Sequence, residues 1–220
     1  MSIKYYYLVV TKEFRRRIGV FGGTFDPPHF GHISSALFAM RELNLDFVLM
    51  LVANDPWQKT DPSLILSENK DFVPSLALHR YEMLKKAVKE YEGLFADDME
   101  IIRGGKTYTI DTLEQLQDRF PKSEFFLMIG TDVARDFHTW RDPQKVCRLS
   151  NVVVLNRPGV TPNEIDESWN FPILRVPAID VSAEEIRNLV VTGKNLESLL
   201  APEVEQYIHS NGLYRSAVDG

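Results

Sequence analysis

The residue types best suited to chemistry are concentrated in one stretch near the N-terminus, Gly22-Gly23-Thr24-Phe25-Asp26-Pro27-Pro28-His29-Phe30-Gly31-His32. Two adjacent glycines let a ligand's phosphates approach the backbone closely. His29 and His32 fall where a helix begins, and such a terminus offers unpaired N–H groups and the positive end of the dipole to an anion. Imidazoles there could donate hydrogen bonds to phosphate oxygens as charge builds up in a transition state. A plainer reading also fits: Gly-Gly and Pro-Pro make a tight turn and the histidines cap a helix. A zinc pair is conceivable at this spacing, but no HExxH helix or third ligand is evident. No GxxxxGK[ST] and no G-x-G occurs in the chain, which removes a P-loop NTPase and weakens a dinucleotide dehydrogenase sharply. The only cysteine, Cys147, excludes a disulfide framework and any Cys-based metal site.

These residues must be positioned by the elements around them. Ile18 to Phe21 is a short strand, and a helix from about Gly31 to Leu43 follows, with Ile33, Ala36, Leu37 and Met40 on one face. Phe47 to Val52 is a continuous apolar run, as expected of a strand buried on both sides. Ala77, Tyr81, Leu84, Val88 and Tyr91 form a helical stripe with Ser75 as N-cap. Met99 to Arg103 reads as the third strand, Phe125 to Ile129 as the fourth, Asn151 to Leu155 as the fifth and Ile173 to Val176 as the last. Helices are expected over Ile110 to Phe120 and after Pro143, and a loop from Thr161 to Pro172. Two helices close the chain, one opened by the capping box Ser182-Ala183-Glu184-Glu185 and stopped at Gly193, the other running from Pro202 to Gly212. Repeated βα units argue for an α/β fold with a doubly wound parallel sheet, in which ligands bind outside the carboxyl ends of the strands where strand order reverses.

The chain has 220 residues, enough to bury a core as a single domain without staples. Its formal charge of −6 argues against a generalised nucleic-acid binder, so any site for an anion must be built locally. The longest apolar run, Phe47 to Ala53, is too short to span a bilayer, and no membrane partner is expected. The first 17 residues end in Arg15-Arg16-Arg17 after an apolar stretch, the reverse of a secretory signal, and a reducing cytoplasm is the simplest home. Tyr5 to Val10 could add an edge strand or serve assembly, which leaves a homo-oligomer open.

GGTFDPPHFGH resembles the N-terminal signature of the nucleotidyltransferase superfamily with the HxGH motif. Further segments are similar to one branch, the bacterial nicotinate-nucleotide adenylyltransferases. They are Trp57-Gln58-Lys59, the run from Gly104 to Leu113 (GGKTYTIDTL), Ile129-Gly130-Thr131-Asp132, Trp140 and Arg157-Pro158-Gly159. The resemblance runs from about Ile18 to Tyr214. It implies a Rossmann-like nucleotidyltransferase domain over residues 18–220 with a small C-terminal helical part, preceded by an extension of residues 1–17.

The activity so implied is adenylyl transfer from MgATP to nicotinate mononucleotide, giving deamido-NAD and pyrophosphate in NAD biosynthesis, with Mg2+ carried by the ATP phosphates and no protein metal ligand. His29, His32 and Arg187 would be catalytic. Gly22, Gly23, Thr24, Phe25, Gly130, Asp132 and Ser182 would bind ATP; Lys59, Thr107, Tyr108, Trp140 and Arg157, with Lys106 beside them, the mononucleotide. Asp132 would accept from ribose hydroxyls, or else cap the next helix. Thr107 and Tyr108 would offer backbone N–H groups to the nicotinate carboxylate, and Trp140 would stack on the pyridine or serve as a core aromatic. The chain departs from the family at I-S-S-T-x-I-R, which here reads Val181-Ser182-Ala183-Glu184-Glu185-Ile186-Arg187. Two hydroxyl donors are lost, each worth about 0.5–1.5 kcal/mol. Nicotinamide mononucleotide or phosphopantetheine as acceptor, a regulatory protein that binds nucleotide without catalysis, and a purely structural α/β module are the alternatives.

Overall fold

A computed structural model of the chain describes residues 15–57, 73–157, 165–177, 179 and 181–215. In chain order the elements are β1 (Arg17–Gly23), α1 (Phe30–Glu42), β2 (Phe47–Val52), α2 (Ala77–Val88), β3 (Leu94–Asp97), α3 (Met99–Arg103) and α4 (Thr109–Arg119). There follow β4 (Glu124–Gly130), α5 (Thr131–Arg135), α6 (Pro143–Leu149), β5 (Asn151–Asn156), β6 (Ile173–Arg175), α7 (Ala183–Val191) and α8 (Pro202–Ser210). The strands pair in the order β3-β2-β1-β4-β5-β6, every pair parallel. Strand order therefore reverses between β1 and β4, and the carboxyl ends of these two strands bound the crevice where such sheets take ligands.

The period-2 alternation of the buried strands feeds two cores. Phe47, Leu49 and Leu51 of β2 face a cluster that includes Ile110, Leu113 and Leu116 of α4 and Val146 of α6. Val48, Met50 and Val52 face the opposite cluster, with Ile33 and Ala36 of α1, Met83 and Leu84 of α2, and Val204 and Ile208 of α8. All six β2 residues are buried, which is why the run shows no polar alternation. Gly19 in β1 leaves the room that its neighbours need: a Cβ there would lie 2.9 Å from both Leu45 and Val48.

The third strand is not Met99–Arg103 but Leu94–Asp97, just upstream. Met99–Arg103 is a short helix whose start is fixed by the Asp97 carboxylate, which accepts from the Met99 N–H at 2.9 Å. Glu100 is buried on its inner side, accepting from the Thr112 hydroxyl at 2.6 Å, while Ile102 is 77% exposed, a helical and not a strand distribution. Ser75 does not cap α2 either; the N-cap is Leu76, with no side-chain cap bond. The cap at Ser182, whose Oγ accepts from Glu185 N–H at 3.1 Å, and the proline starts at Pro143 and Pro202 stand as the sequence predicts. Arg17 already belongs to β1 and pairs with Glu124 at 3.0 Å. The Tyr5–Val10 run lies outside the described residues. Among the described residues no helix is long and apolar enough to cross a membrane.

Candidate active site at the strand-order reversal

The chain leaves β1 through Gly22, beside which a Cβ would meet nothing within 4 Å, and Gly23, whose Cβ would press on the Phe25 ring at 2.9 Å. Gly22 thus opens the strand end to solvent, whereas Gly23 makes way for a buried aromatic. Phe25 takes the left-handed conformation at φ 51°, a geometry costly for a bulky residue and held only where its surroundings over-determine it. The turn then passes a cis Asp26–Pro27 bond and reaches His29, the extended N-cap of α1.

The two imidazoles lie against each other, ring centres 3.7 Å apart and planes inclined by 31°. Gly31 between them is required sterically, because a Cβ would sit 3.0 Å from the His29 ring and 3.2 Å from Val181. His32 Nδ1 accepts from the His29 backbone N–H at 3.2 Å, so in its neutral form His32 carries its proton on Nε2 and is a donor there. His29 is buried, and its Nδ1 has no hydrogen-bond partner among the described residues. Burial, and secondarily the Arg157 charge, lower its pKa to about 3. A buried ring nitrogen without a partner is an unmet hydrogen-bonding demand that a ligand can meet.

The stability consequence has a definite sign. Folding depresses the His29 pKa from 6.5 to about 3, so below 6.5 protons bind preferentially to the unfolded chain. The contribution is complete above pH 6.5 and is lost as pH falls toward 3, by about 1.4 kcal/mol per pH unit inside that window. Urea unfolding at pH 7 and pH 5 should therefore show a smaller acid loss in His29→Gln than in the parent chain; parallel losses would contradict the assignment.

The turn is clamped from below by residues that sequence reasoning missed. Arg80, on the buried face of α2 and only 1% exposed, donates from Nε to Ser75 O at 2.8 Å, and from its two terminal nitrogens to Thr24 O at 2.9 Å and Asn54 O at 3.1 Å. Asp26, equally buried, accepts the Ser75 N–H on its carboxylate at 2.8 Å, and its backbone carbonyl accepts from Arg187 at 2.8 Å. Arg187 of α7 is therefore tied to the histidine turn itself. The signal for Arg80 was present: it shares the i, i+3, i+4, i+7 face with Met83, Leu84 and Ala87, where a solvated arginine has no place.

Across the crevice, Gly130 ends β4 and is the N-cap of α5, so Asp132 is not that cap. The Asp132 carboxylate folds back over Gly130, where a Cβ would come within 2.5 Å of its oxygen. Thr131 donates to Asn156 Oδ1 at 2.8 Å, locking the ends of β4 and β5 together. Arg157 follows β5 as an exposed residue whose charge reaches His29. Ser182 and Glu184 are exposed in the first turn region of α7, where negative charge suits the helix dipole.

The loop before α4 docks on the residues after β2. Asn54 N–H donates to Thr107 Oγ1 at 3.0 Å, Asn54 Nδ2 to Gly105 O at 2.9 Å, and Trp57 Nε1 to Thr107 O at 3.1 Å. Thr107 N–H itself donates to Asp55 O at 3.2 Å, so it is committed within the protein, contrary to the expectation that it would serve an anion. Around this loop, Lys106 lies over Trp57 at 5.5 Å, Trp57 and Tyr108 rings are 5.7 Å apart, and Arg141 covers Tyr108 at 5.0 Å. Trp57 and Arg141 are additions to the predicted set. Trp140 packs on Phe137 at 4.9 Å in the aromatic cluster with Trp169 and Phe171, and its Nε1 is buried without a partner among the described residues. Lys59 lies outside the described residues. Among the described residues no group of three or more His, Cys, Asp or Glu side chains could hold a metal ion.

A family model described as cytidylyltransferase-like matches residues 20–189. A probable nicotinate-nucleotide adenylyltransferase of Desulfitobacterium hafniense (strain Y51) is 35% identical over 209 residues, covering 91% of this chain and 96% of its own. One from Thermus thermophilus is 36% identical over 201 residues, covering 90% of this chain and all of its own. A Plasmodium falciparum nicotinic acid mononucleotide adenylyltransferase solved with NaAD superposes with a TM-score of 0.70 at 20% identity, over 91% of this chain and 98% of that one, a likeness of fold.

Proposed function

The chain belongs to the cytidylyltransferase-like family, among its nicotinate-nucleotide adenylyltransferases, and from that premise we propose that it transfers the adenylyl group of MgATP to nicotinate mononucleotide. A phosphate oxygen of the mononucleotide bonds to the α-phosphorus of ATP as the bond from that phosphorus to the β-phosphate bridging oxygen breaks. Pyrophosphate leaves and deamido-NAD remains. Such a step calls for positioning and charge stabilisation more than for a covalent nucleophile.

The observation that carries this reading is the pair of imidazoles packed against each other at the start of α1, beside an open glycine at the strand-order reversal. In its neutral form His32 presents Nε2–H to a phosphate oxygen, and Nδ1 of His29, without a partner among the described residues, is a second polar group there. Donors set in place before charge develops need no reorganisation during the reaction. Gly22 and Gly23 line the triphosphate through their backbone, and Asp132 serves the ribose of the adenosine. Magnesium enters with the phosphates as part of the substrate. The acceptor lies toward Trp57, Tyr108 and Arg141, where aromatic faces and positive charge suit a pyridine ring bearing an anion, with Arg157 placed to meet its phosphate.

Incubating the purified protein with MgATP and either nicotinate or nicotinamide mononucleotide, and measuring pyrophosphate and dinucleotide, tests the reading. Deamido-NAD formed faster than NAD is the expected result. ATP binding without turnover of either acceptor would replace it with a nucleotide-binding regulatory role.

A further inference from the structure

Gly212, at φ 60°, ends α8 in a Schellman turn, with Leu213 N–H donating to Ile208 O at 3.0 Å and Gly212 N–H to His209 O at 3.3 Å. That turn sends the chain back toward the sheet, and Tyr214 follows in the left-handed region at φ 61°. Its hydroxyl donates to Asp26 Oδ1 at 2.5 Å. Burial, with the Asp26 charge second, pushes the Tyr214 pKa upward, so the phenol stays protonated as a donor. A bulky residue in this conformation is strained and persists only where contacts hold it. Phe25, the residue before Asp26, is a second such residue. Asp26 thus joins two strained aromatic positions 189 residues apart in sequence, Phe25 covalently and Tyr214 by hydrogen bond.

We propose that Tyr214 is a positioning residue for adenylyl transfer, a latch from the end of α8 that holds the Phe25–His29 turn, and with it the stacked imidazoles, in their working geometry through Asp26. Asp26 does not touch the imidazole atoms assigned to the phosphates; its two carboxylate oxygens are taken by Tyr214 and Ser75 and its carbonyl by Arg187. The latch closes a ring from α8 through the turn to α2 and α7. The proposal rests on the adenylyltransferase reading.

The test is Tyr214→Phe, which keeps the ring and removes the donor. Tyr207→Phe serves as its comparator, deleting from α8 a hydroxyl that faces His79 at 3.0 Å and not Asp26. Loss of a hydrogen bond to a charged group corresponds to about a tenfold fall in kcat for Tyr214→Phe, with the KM for the mononucleotide within about twofold of the parent. Amides of residues 24–32 should exchange hydrogen faster in that variant while strand amides do not. Tyr207→Phe should keep parental kcat and parental exchange in the turn. Equal kcat losses in both variants, or Tyr214→Phe with parental turnover and exchange, would overturn the latch. Absence of dinucleotide from the parent chain would instead overturn the adenylyltransferase reading on which it stands.

Discussion

His32→Ala should lower kcat for pyrophosphate release by about 10²–10³-fold, the usual cost of removing one preset donor to developing charge. The size of the effect follows from geometry specific to this turn. His32 is held by the His29 N–H on Nδ1, by the His29 ring 3.7 Å away and by the Phe25 ring 5.0 Å away, so its remaining donor has a fixed direction before substrate arrives. Alanine removes that donor and also the acceptor for a helix-capping N–H, the second loss being worth about 0.5–2 kcal/mol of stability. A shift in melting temperature alone therefore does not explain a hundredfold loss of rate. The mononucleotide KM should stay near parental, because the missing interaction belongs to the transition state. His32→Asn, which restores a short N–H donor, should recover part of the rate. Near-parental kcat in His32→Ala would remove His32 from the mechanism.

The parts of this site that could be read in the sequence are those encoded over short spans. Gly22-Gly23 after an apolar run, two histidines at a helix start, the cap at Ser182 and the prolines at Pro143 and Pro202 each declare a local conformation. The buried strands declare themselves by unbroken apolar runs, which gave the doubly wound sheet and, with it, the crevice between β1 and β4. Leu94–Asp97 was missed because four residues, half of them partly exposed, offer almost no periodic signal beside Met-Glu-Ile-Ile-Arg, whose adjacent β-branched isoleucines favour a strand reading. The pairings beneath the turn were illegible for a different reason. Thr24, Asp26, Ser75, Arg80 and Tyr214 are joined by bonds that include pairs 49, 56 and 188 positions apart, and no local pattern encodes such a pairing, even where a buried helical face marks Arg80 itself. The commitment of Thr107 N–H to Asp55 is equally a product of two loops meeting.

Arg80→Met should be the most damaging single change to stability among the residues around the site. The guanidinium spends its donors on three main-chain carbonyls, Ser75, Thr24 and Asn54, and it lies close enough to Asp26 for their charges to interact. Methionine fills comparable space without a donor, leaving those carbonyls short of a partner and a buried carboxylate without its cation. Breaking a buried charged network in this way costs about 3–5 kcal/mol, which for a chain of this size is a fall of roughly 10 °C in melting temperature. Function should suffer beyond stability, because Arg80 joins two halves of the candidate site, the turn after β1 and the segment after β2. Through Thr24 it fixes the turn before the histidines; through Asn54, whose N–H and side-chain amide hold Thr107 and Gly105, it fixes the loop before α4. Measured well below its melting temperature, Arg80→Met should thus raise the KM for the mononucleotide as well as lower kcat, a combination His32→Ala does not produce. Arg80→Lys should rescue only part of either, since an ammonium is a point donor and cannot span three carbonyls in the guanidinium plane. A melting temperature within about 2 °C of the parent, taken at roughly 2–4 °C per kcal/mol, would mean that the carbonyls find other partners and that the two halves are not joined through this side chain.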